Sequence, residues 1–135
     1  MAKALSNGAS GGPSLAKYNA EKDALKKELA TALEQDDPLA PYVRLIKHIS
    51  EGSAALEQEN ELVEILEEAA RIFKDDDIYK GDLRYLKVWI LYAKSTRKPE
   101  AVYRFLIERN IGAVYCHLYE EFALVLEKQG RYVMT

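Results

Sequence analysis

Cysteine and tryptophan each occur once in the 135 residues, histidine twice and phenylalanine three times. The single cysteine, Cys116, has no partner for an internal disulfide, which points to the reducing cytosol or nucleus. No run of about 18 consecutive apolar residues is present, so no membrane-spanning helix is expected. Residues 1–14 also lack the apolar segment of an export signal. Neither sign of charge dominates: 19 Lys and Arg stand against 22 Asp and Glu, a net charge of -3. With no basic field to collect phosphates, nucleic acid is not an expected partner.

Catalytic and metal-binding patterns are equally scarce. Cys116 and His117 pair a thiol with a base, but neighbours on a helix project about 100° apart and cannot share a hydrogen bond. Cys116 reads instead as a small core residue and His117 as a polar helix position. His48 is the other histidine, and neither has the companions of a zinc motif. Asp75, Asp76 and Asp77 open like a calcium loop, yet the twelfth position is Leu86 rather than Glu, so they read as a solvated connector. Gly11-Gly12 is not followed by a phosphate-binding lysine motif. No enzyme activity, metal or cofactor is expected.

What the chain does contain is helical periodicity. Residues 1–17 include Ser6 to Ser14, rich in Gly and Ser, and are expected to form a flexible tail. From Tyr18 to Glu34, Leu25, Leu29, Ala32 and Leu33 form a narrow apolar stripe. Asp37-Pro38 predicts the cap and first position of a second helix with core residues Tyr42, Leu45, Ile46 and Ile49, Pro41 falling within its first turn. After a break at Gly52-Ser53, a third helix carries Leu62, Ile65, Leu66, Ala69, Ile72 and Phe73 on one face, with glutamates flanking it. Asp82 is expected to cap a fourth, to about Lys94, which is apolar on most sides and so must be covered on most sides. Pro99 starts a fifth, ended near Asn110 to Gly112, and a sixth runs from Ala113 to about Gln129. The class is all-α: a degenerate tetratricopeptide-like helical repeat of about six antiparallel helices spanning residues 18–135.

Nine tyrosines mark the composition, a residue that buries a ring while keeping its hydroxyl wet, in cores and at interfaces alike. The last predicted helix spreads Val114, Tyr115, Leu118, Tyr119, Phe122, Ala123, Val125 and Leu126 over more circumference than one neighbour covers. Self-association through that helix is therefore expected.

Particular residues add a resemblance. Asp36-Asp37-Pro38-Leu39-x-x-Tyr42, Leu66-Glu67 with Phe73, Tyr79-x-x-Asp82-Leu83-Arg84-Tyr85-Leu86-Lys87-Val88-Trp89-x-x-Tyr92-Ala93, Ile111-Gly112 and Tyr119-x-x-Phe122-Ala123-x-x-Leu126-Glu127 resemble, in order and spacing, the N-terminal domain of the Bub/Mad spindle-checkpoint family. The resemblance covers about Asp36 to Gly130. It implies a non-catalytic, divergent tetratricopeptide array that docks a short helical motif of a KNL-type outer-kinetochore scaffold, in nucleus and cytoplasm and at kinetochores in mitosis. It places contacts at Leu106 and Tyr119, with Phe105 and Phe122 as neighbours. His48 and Ile49-Ser50-Glu51 depart from the family's usual tryptophan and Phe-Pro, so the loop geometry there is expected to differ. Family members continue with a further helix, so the array is expected to be truncated at its C-terminus. The alternative is a generic tetratricopeptide-like adaptor for a cytosolic partner such as a chaperone tail, whose carboxylate would need a basic clamp from Arg84, Lys87, Arg104 and Arg109.

Overall fold

Apolar residues recurring every three to four positions leave one arrangement open to this chain, amphipathic helices that bury their stripes on one another. The computed structural model describes the backbone of residues 8–52 and 56–134, and the side chains of 15–52 and 59–129. These residues form α1 (Gly8–Leu29), a 3₁₀ turn (Ala32–Glu34), α2 (Leu39–Ser50), α3 (Leu56–Phe73), α4 (Asp77–Lys80), α5 (Leu83–Ser95), α6 (Pro99–Glu108) and α7 (Cys116–Met134). No strand occurs among the described residues, as the all-α reading requires. The chain divides into two compact units, Met1–Leu62 and Val63–Thr135, with the first turns of α3 in the former.

In the first unit α1 packs against α2. The predicted stripe of α2 is buried throughout: Tyr42, Leu45, Ile46 and Ile49 are at most 4% exposed. Helix α1 begins at Gly8, ten residues before the Tyr18 start that composition predicts, so helical backbone extends into the expected tail. Residues 1–7 of that tail lie outside the described residues. The first stripe also ends early, because Leu33 lies in the 3₁₀ turn and faces solvent. Pro38 itself takes the N-cap of α2, and Ala40 N–H donates to the Asp37 carbonyl to close the entering turn. At the departure noted around His48, the imidazole lies against the Tyr18 ring at 4.5 Å and its Nε2 donates to the Tyr18 carbonyl at 3.0 Å. His48 thus gives α2 an aromatic contact with α1.

Lys22 and Lys26 of α1 both bind Glu61 of α3, Lys22 at 2.9 Å. Burial pushes the Glu61 carboxyl up, but the two ammonium groups outweigh it and hold the group below its usual value of 4.5. A carboxyl depressed in the fold stabilises it above the unfolded value, and that contribution is lost as pH falls through the folded value. Glu61→Gln should therefore cost about 1 kcal/mol at neutral pH. Chemical denaturation across acid pH checks this: the gap between the two proteins should close below pH 4.5.

The second unit is organised around α5. Asp82 caps it as predicted, its carboxylate accepting from Arg84 N–H at 2.8 Å. Tyr85, Leu86, Val88, Trp89, Ile90 and Ala93 are all buried, and α4, α6 and α7 each pack against the helix. The Tyr85 hydroxyl donates to the Ala70 carbonyl of α3. Its ring meets those of Phe73, Tyr79 and Trp89 edge-on, at 6.1 to 6.4 Å. The helix is covered on the faces that carry these residues, while Leu83, Lys87, Leu91 and Lys94 form an exposed face.

Two expectations are revised here. The aspartate run is more than a connector: Asp76 accepts from Ile78 N–H and caps the short α4, which adds a seventh helix. The last helix starts at Cys116 instead of Ala113, because a tight loop consumes the intervening residues. Asn110 and Gly112 both take left-handed backbone, at φ 60° and 69°. Ile111 N–H donates to the Leu106 carbonyl at 2.8 Å and Asn110 N–H to that of Ile107 at 3.2 Å, a Schellman closure of α6. Gly112 N–H then donates to the Lys80 carbonyl at 2.7 Å, tying the loop to α4. A Cβ at Gly112 would lie 2.7 Å from Leu86, so space as well as φ demands glycine there.

Candidate functional site

The four residues expected to bind a partner all lie in the second unit, on α6 and α7, but in unlike surroundings. Leu106 is 0% exposed. It is the third residue from the end of α6 in the Schellman closure, where an apolar contact with the residue after the turn accompanies the backbone bond, and Ile111 is likewise fully buried. Leu106 therefore offers no surface and belongs to the core. Phe105 is half-buried, tilted against Trp89 at 5.3 Å, with the Arg109 guanidinium over its ring at 5.1 Å. Phe122 is half-buried too, stacked on Tyr103 at 5.7 Å beneath Arg104. Tyr119 is 44% exposed, and its hydroxyl donates to the Ala113 carbonyl at 2.9 Å, which fixes the ring on the surface.

Cys116 is exposed, contrary to its reading as a core residue, and is the first residue of α7. His117 faces Glu120 at 3.9 Å, one helical turn on. No group of three or more metal-ligating side chains occurs among the described residues. Three of the four cations of the clamp reading each engage a different group. Arg84 binds Asp82 at 2.7 Å, Arg109 lies 3.6 Å from Asp75, and Arg104 covers Phe122.

The structure adds a groove of about 660 Å³ that was not foreseen. Tyr103 and Pro99 of α6 and Leu124 and Val125 of α7 give it apolar walls, while Lys94, Arg97 and Lys128 stand at its rim. Burial, with the Glu121 carboxylate nearby, pushes the Tyr103 hydroxyl above the usual phenol range, so it remains a donor. The sequence signal was present in the apolar breadth of the last helix, which one neighbouring helix cannot cover.

A family profile described as Mad3/BUB1 homology region 1 matches residues 20–135. The chain belongs to this family. It is 37% identical over 98 residues to the mitotic spindle checkpoint protein BUBR1 of Arabidopsis thaliana, covering 73% of this chain and 25% of that protein. It is 31% identical over 111 residues to the mitotic spindle checkpoint component mad3 of Schizosaccharomyces pombe, covering 82% and 36%. The Arabidopsis checkpoint kinase BUB1 is 36% identical over 95 residues, 70% of this chain and 18% of the kinase. The chain thus spans about a third or less of the length of these relatives.

Among solved structures, the crystal structure of the conserved N-terminal domain of the checkpoint component BUB1 matches with a TM-score of 0.76 and 27% identity, over 85% of this chain and 64% of that one. A chain in the crystal structure of the mitotic checkpoint complex matches with a TM-score of 0.75 and 29% identity, over 87% and 55%. The fold is therefore that of the BUB1 N-terminal domain, and the Mad3/BUB1 homology region is a non-catalytic protein-interaction region.

Proposed function

We propose that this Mad3/BUB1 homology region serves a spindle assembly checkpoint protein by docking a short amphipathic helix of a KNL-type outer-kinetochore scaffold, so recruiting that protein to kinetochores in mitosis. The observation that carries the reading is the uncovered apolar flank of α7, where Tyr119 and Leu126 are 44% and 39% exposed. Seven residues apart on a helix, they project within about 20° of each other and form one strip. An amphipathic partner helix places its anchors on such a strip, and rigid aromatic rings dominate such contacts. Tyr119 is the central contact, Phe122 and Phe105 stand at its margins, and Leu106 acts from below by holding the end of α6. Checkpoint proteins among the relatives support the setting. Tyr119→Ala should weaken binding of the scaffold's helical segment by about tenfold or more. Titration calorimetry with the purified chain tests this; unchanged affinity with unchanged melting temperature would remove Tyr119 from the site.

The same flank supports a second reading, pairing between two copies. Val114, at the start of this region, is 79% exposed, and Leu126 lies farther along α7. Apolar strips of this kind favour weak symmetric dimers, so sedimentation at about 100 μM should show association that Leu126→Glu abolishes. A chain monomeric throughout that range would exclude it.

A further inference from the structure

We infer that the groove between α6 and α7 is a second docking surface, built for an acidic amphipathic helix of a partner protein. It is separate from the Tyr119 strip. At about 100° per residue, Leu124 and Lys128 project about 140° to 180° from Tyr119, on the opposite flank of α7. A partner on one flank therefore leaves the other open.

Charge identifies the occupant. The chain as a whole is acidic, at -3, yet the groove rim gathers Lys94, Arg97 and Lys128. The acid at this wall, Glu121, is 18% exposed and meets Lys94 at 3.4 Å, while the Lys94 side chain stays 58% exposed. Arg97 and Lys128 are exposed as well. Between these cations the wall is apolar, with Leu124 54% exposed above Tyr103. An occupant with leucines on one face and carboxylates on both edges matches this wall and rim: leucines meet Leu124 and Val125, and edge carboxylates meet Lys94, Arg97 and Lys128.

The test uses the full chain and two dye-labelled synthetic helices of about 16 residues, long enough to hold helical structure. Both carry Leu at i, i+3, i+4 and i+7; one carries Glu elsewhere, the other Lys. Fluorescence anisotropy should show the Glu probe binding at least about tenfold more tightly than the Lys probe. The double variant R97E/K128E, altered at two exposed positions, should lower affinity for the Glu probe by about tenfold and flatten its salt dependence. Tyr119→Ala should leave Glu-probe binding unchanged, so failure here is distinct from failure of the scaffold reading. Equal binding of the two probes, or a Glu probe indifferent to R97E/K128E in a folded protein, would overturn the proposal. So would R97E/K128E turning a dimer into a monomer, since the occupant would then be a second copy.

Discussion

Replacing Tyr85 with alanine should cost about 3–5 kcal/mol, the range for deleting a large ring from a packed core. The residue is 0% exposed in the middle of α5, its ring lies against Phe73, Tyr79 and Trp89, and its hydroxyl satisfies the Ala70 carbonyl of α3. The truncation removes three ring contacts and leaves a buried carbonyl short of a partner, and α5 is the helix against which α4, α6 and α7 pack. No neighbour can collapse into the space without moving one of those helices. Tyr85→Phe separates the terms: it keeps the ring and should cost about 1–2 kcal/mol. Urea denaturation of the three proteins measures both values; an alanine variant within 1 kcal/mol of the parent would mean the aromatic cluster does not organise this unit.

Leu106→Ala should cost about 2–5 kcal/mol, and any loss of partner binding it causes should track unfolding. A contact residue loses affinity at unchanged stability; a core residue loses stability first. Leu106 is fully buried and shares the end of α6 with Ile111, itself fully buried, across the bond from Ile111 N–H to the Leu106 carbonyl. Creating a void there loosens the loop that presents Ala113, whose carbonyl anchors the Tyr119 hydroxyl. The expected pattern is a lowered melting temperature, with scaffold affinity recovered when the variant is measured well below its transition. Full stability together with lost binding would instead make Leu106 a direct contact.

The contrast between Leu106 and Tyr119 shows where sequence reading reaches its limit. Periodicity sorts residues into apolar and polar faces, which is why the stripe of α2 and the broad buried side of α5 are legible in the sequence. It cannot say which apolar residue of a broad face is covered, because that depends on neighbouring helices distant in sequence. Leu106 and Tyr119 both read as apolar positions near a helix end; only the Schellman turn at Asn110 and the ring-anchoring bond to Ala113 separate them. Cys116 was misread for a related reason. The loop from Asn110 to Tyr115, closed by backbone bonds to Leu106 and Lys80, delays α7 so that Cys116 becomes its exposed first residue. The short α4 was hidden because one helical turn carries no measurable period, although its cap, Asp76, was in view. The basic rim of the groove was invisible because Lys94, Arg97 and Lys128 come together only when α5 and α7 pack.

Hydrogen exchange of the full chain, with and without the helical segment of a KNL-type scaffold, locates the docking surface. Slowed exchange is expected in α7 around Tyr119 to Leu126 and at the end of α6 near Phe105, with α1 and α2 unchanged. No change anywhere at saturating segment, or protection confined to α1 and α2, would contradict docking there.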